Sequence, residues 1–293
     1  MAIATDRVVT SSGARDAARR VRGRALPTAG RIALVILGVL VLATVVGPLL
    51  WGPDPIAQNI NERLQPPSPA HPFGTDRYGR DIFARLLTGG RWSLAGAAIV
   101  CLGTSLTGFL VGALAATGGR TVDLVLGRAI EALMALPGIV MALALTTILP
   151  ASFATLLFAL IITGWPPYAR IYRALLLRER EAGYVEAAIC AGCGRRHVLI
   201  RHLLPNIVGP ALVLATGNFG GVILSLASLS FLGFGIQAPT PEWGVLINEA
   251  RAYFQTQPWQ MVAPGLGIAL TVLAVNLLGD ALRDRWDPRT QRR

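Results

Sequence analysis

Long stretches without a charged residue constrain this chain more than any other feature of its sequence. The first covers residues 32–51, where thirteen of the twenty residues are Leu, Ile or Val. A membrane-spanning helix needs about 20 apolar residues, and inserting this run would gain about 4 to 8 kcal/mol at most. The run is longer than the apolar core of a signal peptide, and no A-x-A cleavage site follows it. We therefore predict an uncleaved transmembrane helix.

Gaps between charged residues predict five further spans. Residues 132–169 comprise 38 positions without a charge, enough for two spans of about 19 residues with a turn at 149–152. Residues 202–241 comprise 40 uncharged positions, but their end contains Gln, Thr and Pro, so they predict one span and a loop. Besides the two in 132–169, we expect spans at 94–116, 208–233 and 261–279. With a short amphipathic interfacial helix over 82–94, the sequence predicts an all-α membrane protein with six transmembrane helices.

The placement of arginine predicts which ends of the spans face the cytoplasm. All 27 basic residues are arginine; with the N-terminus inside, 21 lie in inner segments and six in outer segments. Inner loops carry the excess of basic residues, so we expect a multi-pass cell-membrane protein with both termini in the cytoplasm. The loop at 52–91 departs from this rule, because it contains five arginines. Residues 1–30 are expected to lie beside anionic lipid, which contributes about 1 kcal/mol per arginine near the surface.

The sequence lacks the residue patterns of several kinds of catalytic and metal-binding site. A Walker-type phosphate loop needs a lysine and the chain has none, so it cannot hydrolyse ATP by that route. No nucleophile lies beside a base, and no second C-x-x-C or nearby His pair completes a zinc site with Cys190 and Cys193. We interpret that pair as coincidence and the net charge of +11 as membrane orientation rather than nucleic-acid binding. We predict no enzyme activity, no catalytic residue, no metal and no cofactor bound by this chain.

Polar residues within the predicted spans are few. Ionisable residues are absent from the span centres, which argues against an ion-coupled carrier. Asn218 and Asn276 are the candidates for a substrate path. Both are weak candidates, because hydrogen bonding between helices, worth about 1 kcal/mol, is the commoner use of such residues.

One polar, arginine-bearing segment at 184–206 interrupts the apolar sequence. Residues 182–191 predict about two and a half helical turns that end at Gly192 or Gly194. Residues 195–204 predict a second helix that ends at Pro205. The small residues Ala187 and Ala188 would let another protein approach the first helix closely. The spacing alone favours docking to a protein and contact with lipid headgroups equally.

The segment resembles the cytoplasmic coupling loop, or EAA loop, of ABC-importer permeases in the order of Glu186-Ala187-Ala188, Gly192 and Leu204-Pro205. Other segments resemble the C-type permease subunits of dipeptide, oligopeptide and nickel importers, and together they cover about residues 30–290. They are His71-Pro72-Phe73-Gly74-Thr75-Asp76-Arg77-Tyr78-Gly79-Arg80-Asp81, Gly164-Trp165-Pro166-Pro167-Tyr168-Ala169-Arg170, Pro241-Glu242-Trp243-Gly244 and residues 276–289. From its residues alone, the 71–81 segment predicts a loop fixed by Gly and Asp turns, without chemistry. Cys190, Cys193 and Gly194 depart from the family pattern.

The resemblance implies the core of a type I ABC-importer permease. Its expected segments are a cytoplasmic basic tail (1–30), a first span (31–51), an external loop (52–91), a five-helix core (92–283) containing the coupling loop (171–206), and a cytoplasmic tail (284–293). Implied partners are a second homologous permease subunit, two ATPase subunits that bind ATP and Mg, an external substrate-binding protein and membrane lipid. The residues implied in coupling are Tyr184, Glu186, Ala187, Ala188, Gly192, Leu204 and Pro205.

The same resemblance implies import of di- or oligopeptides. Nickel or another small solute is the alternative within the family. Two further interpretations belong to other functional classes. One is an ion-gradient carrier or channel that works alone, and the other is a membrane receptor or scaffold that transports nothing.

Overall fold

In the computed structural model, residues 27–286 are described, and their regular structure is helical apart from one isolated β-bridge between Thr75 and Asp81. The all-α prediction is therefore confirmed for this part of the chain. Most of the predicted basic tail at 1–30 and part of the tail at 284–293 lie outside the described residues. The helices are α1 (Thr28–Leu50), α2 (Ile82–Thr117), α3 (Arg120–Met134), α4 (Gly138–Ile148), α5 (Phe153–Arg180), α6 (Gly183–Cys190), α7 (Arg195–Val198), α8 (Leu204–Phe231), α9 (Trp243–Ala250) and α10 (Trp259–Trp286).

Four helical runs in the described part of the chain are long and apolar enough to cross a membrane. They are α1, α2, the run Arg196–Phe231 that includes α8, and α10. Helices α3 and α4 together pass the same test but meet at 83°, so the number becomes five if this bent pair is one span. Pro137 lies at the bend, where it disfavours helical geometry in the residue before it. The chain is a multi-pass membrane protein. Judged by length and composition, its described residues contain four or five candidate spans, fewer than the six predicted.

Helix α2 is longer than the sequence predicted. It forms one helix of 36 residues, about 54 Å in length, instead of an interfacial helix over 82–94 followed by a separate span. Asp81 begins the helix, because its side chain accepts a hydrogen bond from the Ala84 N–H at 2.6 Å. The two consecutive glycines in the first part do not break it, since other helices pack against them. A Cβ added to Gly90 would lie 2.2 Å from Thr44 Cγ2 on α1.

Helices α2 and α5 lie side by side and run in the same direction. Gly96, near the middle of α2, faces Phe153 at the start of α5, and Gly108 faces Tyr168 further along both helices. A Cβ added to Gly108 would lie 2.5 Å from the Tyr168 Cβ, so the missing side chain allows close helix packing. Because the two helices are parallel, the chain must return across the bundle between them, and α3 and α4 occupy that segment. The turn predicted at 149–152 is present as the break between α4 and α5.

The two ends of the bundle carry different structures. At one end, the last turns of α2 and α5 contact the segment from α6 to the start of α8 around one buried apolar cluster. At the other end, α9 packs between α2, α8 and α10, and its Trp243 is only 2% exposed. Helices α8 and α10 are antiparallel, since Gly220 faces Val272 and Gly279 faces Gly217.

The helix predicted over 195–204 does not end at Pro205. Helix α7 continues through a π-helical turn, Leu199–Leu203, directly into α8. Pro205 lies in the first turn of α8. In a regular α-helix the ring of this proline would clash with the carbonyl of Arg201, four residues earlier, and the wider π-helical turn relieves that clash. The prediction was wrong because a local rule for proline ignores such a turn.

Candidate functional site

Helix α6 ends in a Schellman motif whose left-handed residue is Gly192. The Cys193 N–H donates to the carbonyl of Ala188 at 3.1 Å, and the Gly192 N–H donates to the carbonyl of Ile189 at 2.9 Å. The φ angle of Gly192 is +83°, which glycine adopts without the steric cost that a Cβ imposes. Of the two predicted terminators, Gly192 therefore ends the helix and Gly194 does not.

One side of α6 fixes it to the bundle. Val185 is fully buried, at 0% exposure, and such burial contributes about 1.5–3 kcal/mol. The other side is accessible, since Tyr184, Glu186 and Ala187 are exposed and Ala188 is half-buried. The buried residues that form the cluster with Val185 are Ala113, Ala116, Leu176, Val198, Leu203 and Ile207.

Tyr184 joins α6 to both neighbouring long helices. Its Oη donates to the carboxylate of Glu179 at the end of α5 and accepts a hydrogen bond from Asn206 Nδ2, at 2.9 Å, at the start of α8. Burial and the bond to Glu179 raise the pKa of Tyr184 to about 12, so the hydroxyl keeps its proton at neutral pH. Sequence reasoning missed Glu179 and Asn206 as partners. The signal for Asn206 is a polar residue placed directly after Leu204-Pro205.

The remaining residues of the predicted coupling loop lie at the same end of the bundle. Leu204 packs against the Val185 cluster, and Pro205 is exposed. Cys190 is exposed, whereas Cys193 is half-buried and lines a cavity of about 310 Å³ beneath α6. Both cysteines are free thiols. Within residues 27–286, no group of three or more His, Cys, Asp or Glu side chains is arranged to hold a metal ion.

The two predicted path residues lie on different sides of α8. Asn218 is exposed and lines a cavity of about 270 Å³ between α2, α4, α5 and α8. Asn276 lies where α10 packs against α8, and its Oδ1 is 3.5 Å from the position that a Cβ would take on Gly220. The structure therefore does not bring the two asparagines into one site.

A buried ionic cluster, which the sequence did not predict, ties the 71–81 loop and the start of α2 to α9. Arg80 and Arg85 are each 1% exposed, and their guanidinium groups contact the Glu249 carboxylate at 3.1 and 2.6 Å. Arg80 Nε also donates to the Asp76 carboxylate at 2.6 Å. Glu249 is 164 positions from Arg85, so no local pattern could have indicated the pairing.

The same loop also has the turns that the sequence predicted. Gly74 and Gly79 adopt positive φ angles of 69° and 73°. A Cβ on Gly79 would lie 1.7 Å from the Asn59 carbonyl oxygen, so a side chain does not fit there. His71 Nδ1 lies 2.7 Å from the Asp81 carboxylate. Turn residues therefore shape the loop, and ion pairs fix its position.

A fully buried carboxylate begins α9. Glu242 is fully buried; it accepts hydrogen bonds from the N–H groups of Gly244 and Val245 at 2.9 and 3.2 Å and from Ser93 Oγ at 2.5 Å. Burial raises the pKa of Glu242 above its usual range. The sequence placed Glu242 in a loop outside the spans, whereas α9 carries it into the bundle against α2. Its bonds make it a structural cap, and it is a buried ionisable group that the sequence analysis missed.

The sequence matches two described protein families. Residues 108–292, more than half of the chain, match the family described as binding-protein-dependent transport system inner membrane component. Residues 28–67 match the N-terminal transmembrane domain of oligopeptide transport permease C.

Individual relatives align over most of both chains. The dipeptide transport system permease protein DppC of Alkalihalophilus pseudofirmus is 36% identical over 284 residues, which cover 97% of this chain and 92% of the relative. A putative peptide transport system permease protein of Brucella suis is 40% identical over 259 residues, covering 88% and 87%. The nickel transport system permease protein NikC of Escherichia coli is 39% identical over 259 residues, covering 88% and 93%.

Proposed function

Since this chain belongs to the family of binding-protein-dependent transport system inner membrane components, we propose that it is the permease subunit through which an ATP-driven importer passes di- or oligopeptides. Besides the family, one structural observation supports the proposal. Helix α6 is attached to the bundle through buried Val185, and it keeps Glu186 and Ala187 exposed at its surface. A short helix held on one side and free on the other suits docking to a second protein.

Coupling would proceed through two connections from α6. The bonds of Tyr184 to Glu179 and Asn206 join α6 to the ends of α5 and α8. Movement of α6 by an ATPase subunit would therefore be transmitted to two long helices together. The ATPase supplies the difference in binding free energy between two states of the permease, and Gly192 defines where the moving helix ends.

The family and the exposed surface of α6 support a set of proposed partners. ATP and Mg belong to separate ATPase subunits, and an external protein delivers the substrate. We propose two ATPase subunits and a second homologous permease subunit. The coupling residues for one ATPase subunit are Tyr184, Glu186, Ala187, Ala188, Gly192, Leu204 and Pro205.

We count six spans by adding α5 to the four long apolar helices and the bent pair of α3 and α4. Helix α5 has 28 residues, about 42 Å in length, and its first 17 carry no charge. It runs parallel to α2, so the chain must cross the bundle once between them. The bent pair supplies that crossing, and the six spans then alternate in direction.

The arginine distribution supports an orientation with both termini in the cytoplasm. The exception, the loop at 52–91, has a structural explanation. Arg80 and Arg85 are buried in ion pairs, and Arg91 Nε donates to the Thr44 carbonyl at 2.8 Å. These three arginines are fixed within the fold at that end of the bundle.

Peptides are favoured over nickel as the substrate. The named relatives include permeases of both kinds. Within residues 27–286, no group of three His, Cys, Asp or Glu side chains forms a candidate metal site. Asn218, which lines a cavity, is a better candidate for the substrate path than Asn276.

Glu186→Trp tests the coupling proposal. The side chain is exposed, so we expect normal insertion and normal yield of the complex with its partner subunits. Substrate-stimulated ATP hydrolysis and peptide uptake in proteoliposomes should fall by about 5- to 150-fold, the range of coupling free energies of 1–3 kcal/mol. Arg128→Trp, at an exposed position on α3 at the same end, is the matched control and should leave both rates unchanged.

Normal peptide uptake by the Glu186→Trp complex would refute the coupling role. Uptake by this chain alone in vesicles, without any ATPase, would instead favour the carrier or channel hypothesis. A deletion strain with normal peptide uptake would favour the receptor or scaffold hypothesis.

A further inference from the structure

A cavity of about 270 Å³ lies beside Asn218, near the middle of α8, between four helices of the bundle. Its lining contains no charged residue. Its polar side chains are those of Thr104, Thr163, Tyr168, Asn218 and Ser225. The cavity is therefore polar but uncharged, within the part of the chain that crosses the membrane.

The face of α8 beside this cavity differs from a surface that contacts lipid. Gly217, Asn218 and Gly221 are exposed, and a Cβ added to either glycine would have no atom within 4 Å. The exposed surface of α1 instead presents large apolar residues such as Val39 and Leu42, which are 60% and 62% exposed. Polar side chains in the middle of a span usually face the bundle interior or a water-filled path. This face of α8 therefore fits a path better than lipid.

The side chains around the cavity present mainly hydrogen-bond acceptors. The hydroxyl groups of Thr104 and Thr163 donate their only hydrogens to carbonyls of their own helices at 2.8 Å, and Ser225 does so at 2.9 Å. Asn218 Nδ2 donates to the Leu214 carbonyl at 2.8 Å. The side-chain oxygens of these four residues keep lone pairs that another molecule can use.

The backbone of α5 adds a further acceptor. Pro167 has no N–H, so the carbonyl of Thr163 lacks the donor that a regular helix would supply. This oxygen lies 3.8 Å from the position that a Cβ would take on Gly138, which also lines the cavity. Tyr168 is 5% exposed, and its Oη has no hydrogen-bond partner among residues 27–286. Because the Tyr168 hydroxyl is itself buried, the wall presents mainly acceptors.

We propose that this cavity is part of the substrate path and binds the N–H groups of a peptide main chain through its uncharged acceptors. The proposal rests on the function proposed above. A main chain offers N–H groups whatever its side chains are, so these acceptors suit a permease that passes many peptide sequences. A bare nickel ion fits poorly, because the lining has no His, Cys, Asp or Glu and imidazole or thiolate ligands suit that metal better.

The experiment compares peptide uptake in proteoliposomes that contain the complete complex. The probes are a labelled tripeptide and the same tripeptide methylated at its peptide nitrogens, each presented on saturated binding protein. We measure the ratio of their initial uptake rates in the parent and in Thr163→Val and Asn218→Leu, which remove acceptors with little change in volume. Each variant should lower the preference for the unmethylated peptide by about 2- to 13-fold, the value of one hydrogen bond. The binding protein is the same throughout, so a changed ratio originates in the permease.

Matched controls are two threonines outside the cavity lining. Thr147 on α4 and Thr216 on α8 also donate to carbonyls of their own helices, at 2.8 and 2.7 Å. Thr147→Val and Thr216→Val should keep the parent ratio. Co-purification with the partner subunits shows whether each variant folds and assembles.

Three results would overturn the inference. The first is a ratio equal to the parent's in both cavity variants. The second is slower uptake of both probes by the same factor, which would indicate steric obstruction rather than lost hydrogen bonds. The third is loss of the second permease subunit on purification, which would make the cavity a subunit interface. A parent complex that transports no peptide would refute the proposed function itself, and this inference with it.

Discussion

Glu249 is the carboxylate between two buried arginines, and replacing it with glutamine should destabilise the protein strongly. Arg80 and Arg85 are each 1% exposed, and both contact Glu249 at 3.1 Å or less. Glutamine keeps the shape and one acceptor oxygen but removes the negative charge. Asp76 then remains as the carboxylate of the cluster beside two buried positive charges.

The magnitude follows from the burial of the two guanidinium groups. Removing one partner of a buried ion pair costs about 3–5 kcal/mol, because the remaining charge stays desolvated. We expect about 3 kcal/mol for Glu249→Gln, since the amide oxygen still accepts a hydrogen bond. For a protein of this size, that loss corresponds to a fall in Tm of about 6–12 °C.

The assay is thermal unfolding in detergent micelles, with Glu131→Gln as the matched control. Glu131 pairs with Arg128 at 3.1 Å, but the two side chains are 67% and 78% exposed. An exposed pair contributes about 0–1 kcal/mol, so the control should change Tm by no more than about 4 °C. Equal shifts in Tm for the two variants would refute the argument that burial of an ion pair, rather than its presence, determines how much its loss destabilises the protein.

Two further predictions concern the coupling loop. Gly192→Ala should destabilise the end of α6 by about 1 kcal/mol, because Gly192 has a φ of +83°, although no atom lies within 4 Å of the added Cβ. Gly194→Ala, where the added Cβ is equally unobstructed, should destabilise the helix end less. Hydrogen exchange of the α6 amides measures the difference, and equal protection in the two variants would contradict this reasoning. In a Cys193→Ser background, exposed Cys190 should resist a membrane-impermeant thiol reagent in intact cells and react after permeabilisation, while Cys101, 6% exposed, stays unreactive. Labelling of Cys190 in intact cells would place the coupling loop outside and overturn the proposed orientation.

Local sequence patterns predicted several features correctly, for reasons that can be stated. Uncharged runs indicated the apolar helices, because burial of a helix in lipid depends on the length and composition of the run. The turn at 149–152 was also predicted, and the end of α6 was predicted to be Gly192 or Gly194, because both features depend on short-range backbone geometry. Predictions failed where packing overrides a local rule. The predicted break between an interfacial helix over 82–94 and a span at 94–116 is absent from α2, and Pro205 did not end a helix, because packing of a neighbouring helix and a π-helical turn compensate.

The candidate site also separates features that local sequence patterns indicate from features that packing determines. The family resemblance implied Tyr184 and Gly192 in coupling, which stays a prediction, and it did not indicate the bonds of Tyr184 to Glu179 and Asn206 that connect α6 to α5 and α8. Sequence patterns indicated Asn218 and Asn276 together, whereas the rotation of α8 and α10 places them on different sides of α8. The rotation of a helix about its axis is set by packing against its neighbours, which a one-dimensional pattern of apolar residues does not specify.

By itself, the sequence determined that this chain crosses a membrane as helices, and the order of its motifs indicated its family. Both follow from local properties: apolar length, the absence of charge, and the spacing of a few residues. Only the tertiary structure decided which charges are buried in pairs and which polar side chains surround a cavity. Glu249 contacts Arg85, which lies 164 positions earlier in the chain, and such a contact forms only when the helices pack. The free energy of burying a charge depends on its partners, and here these partners are distant in the sequence.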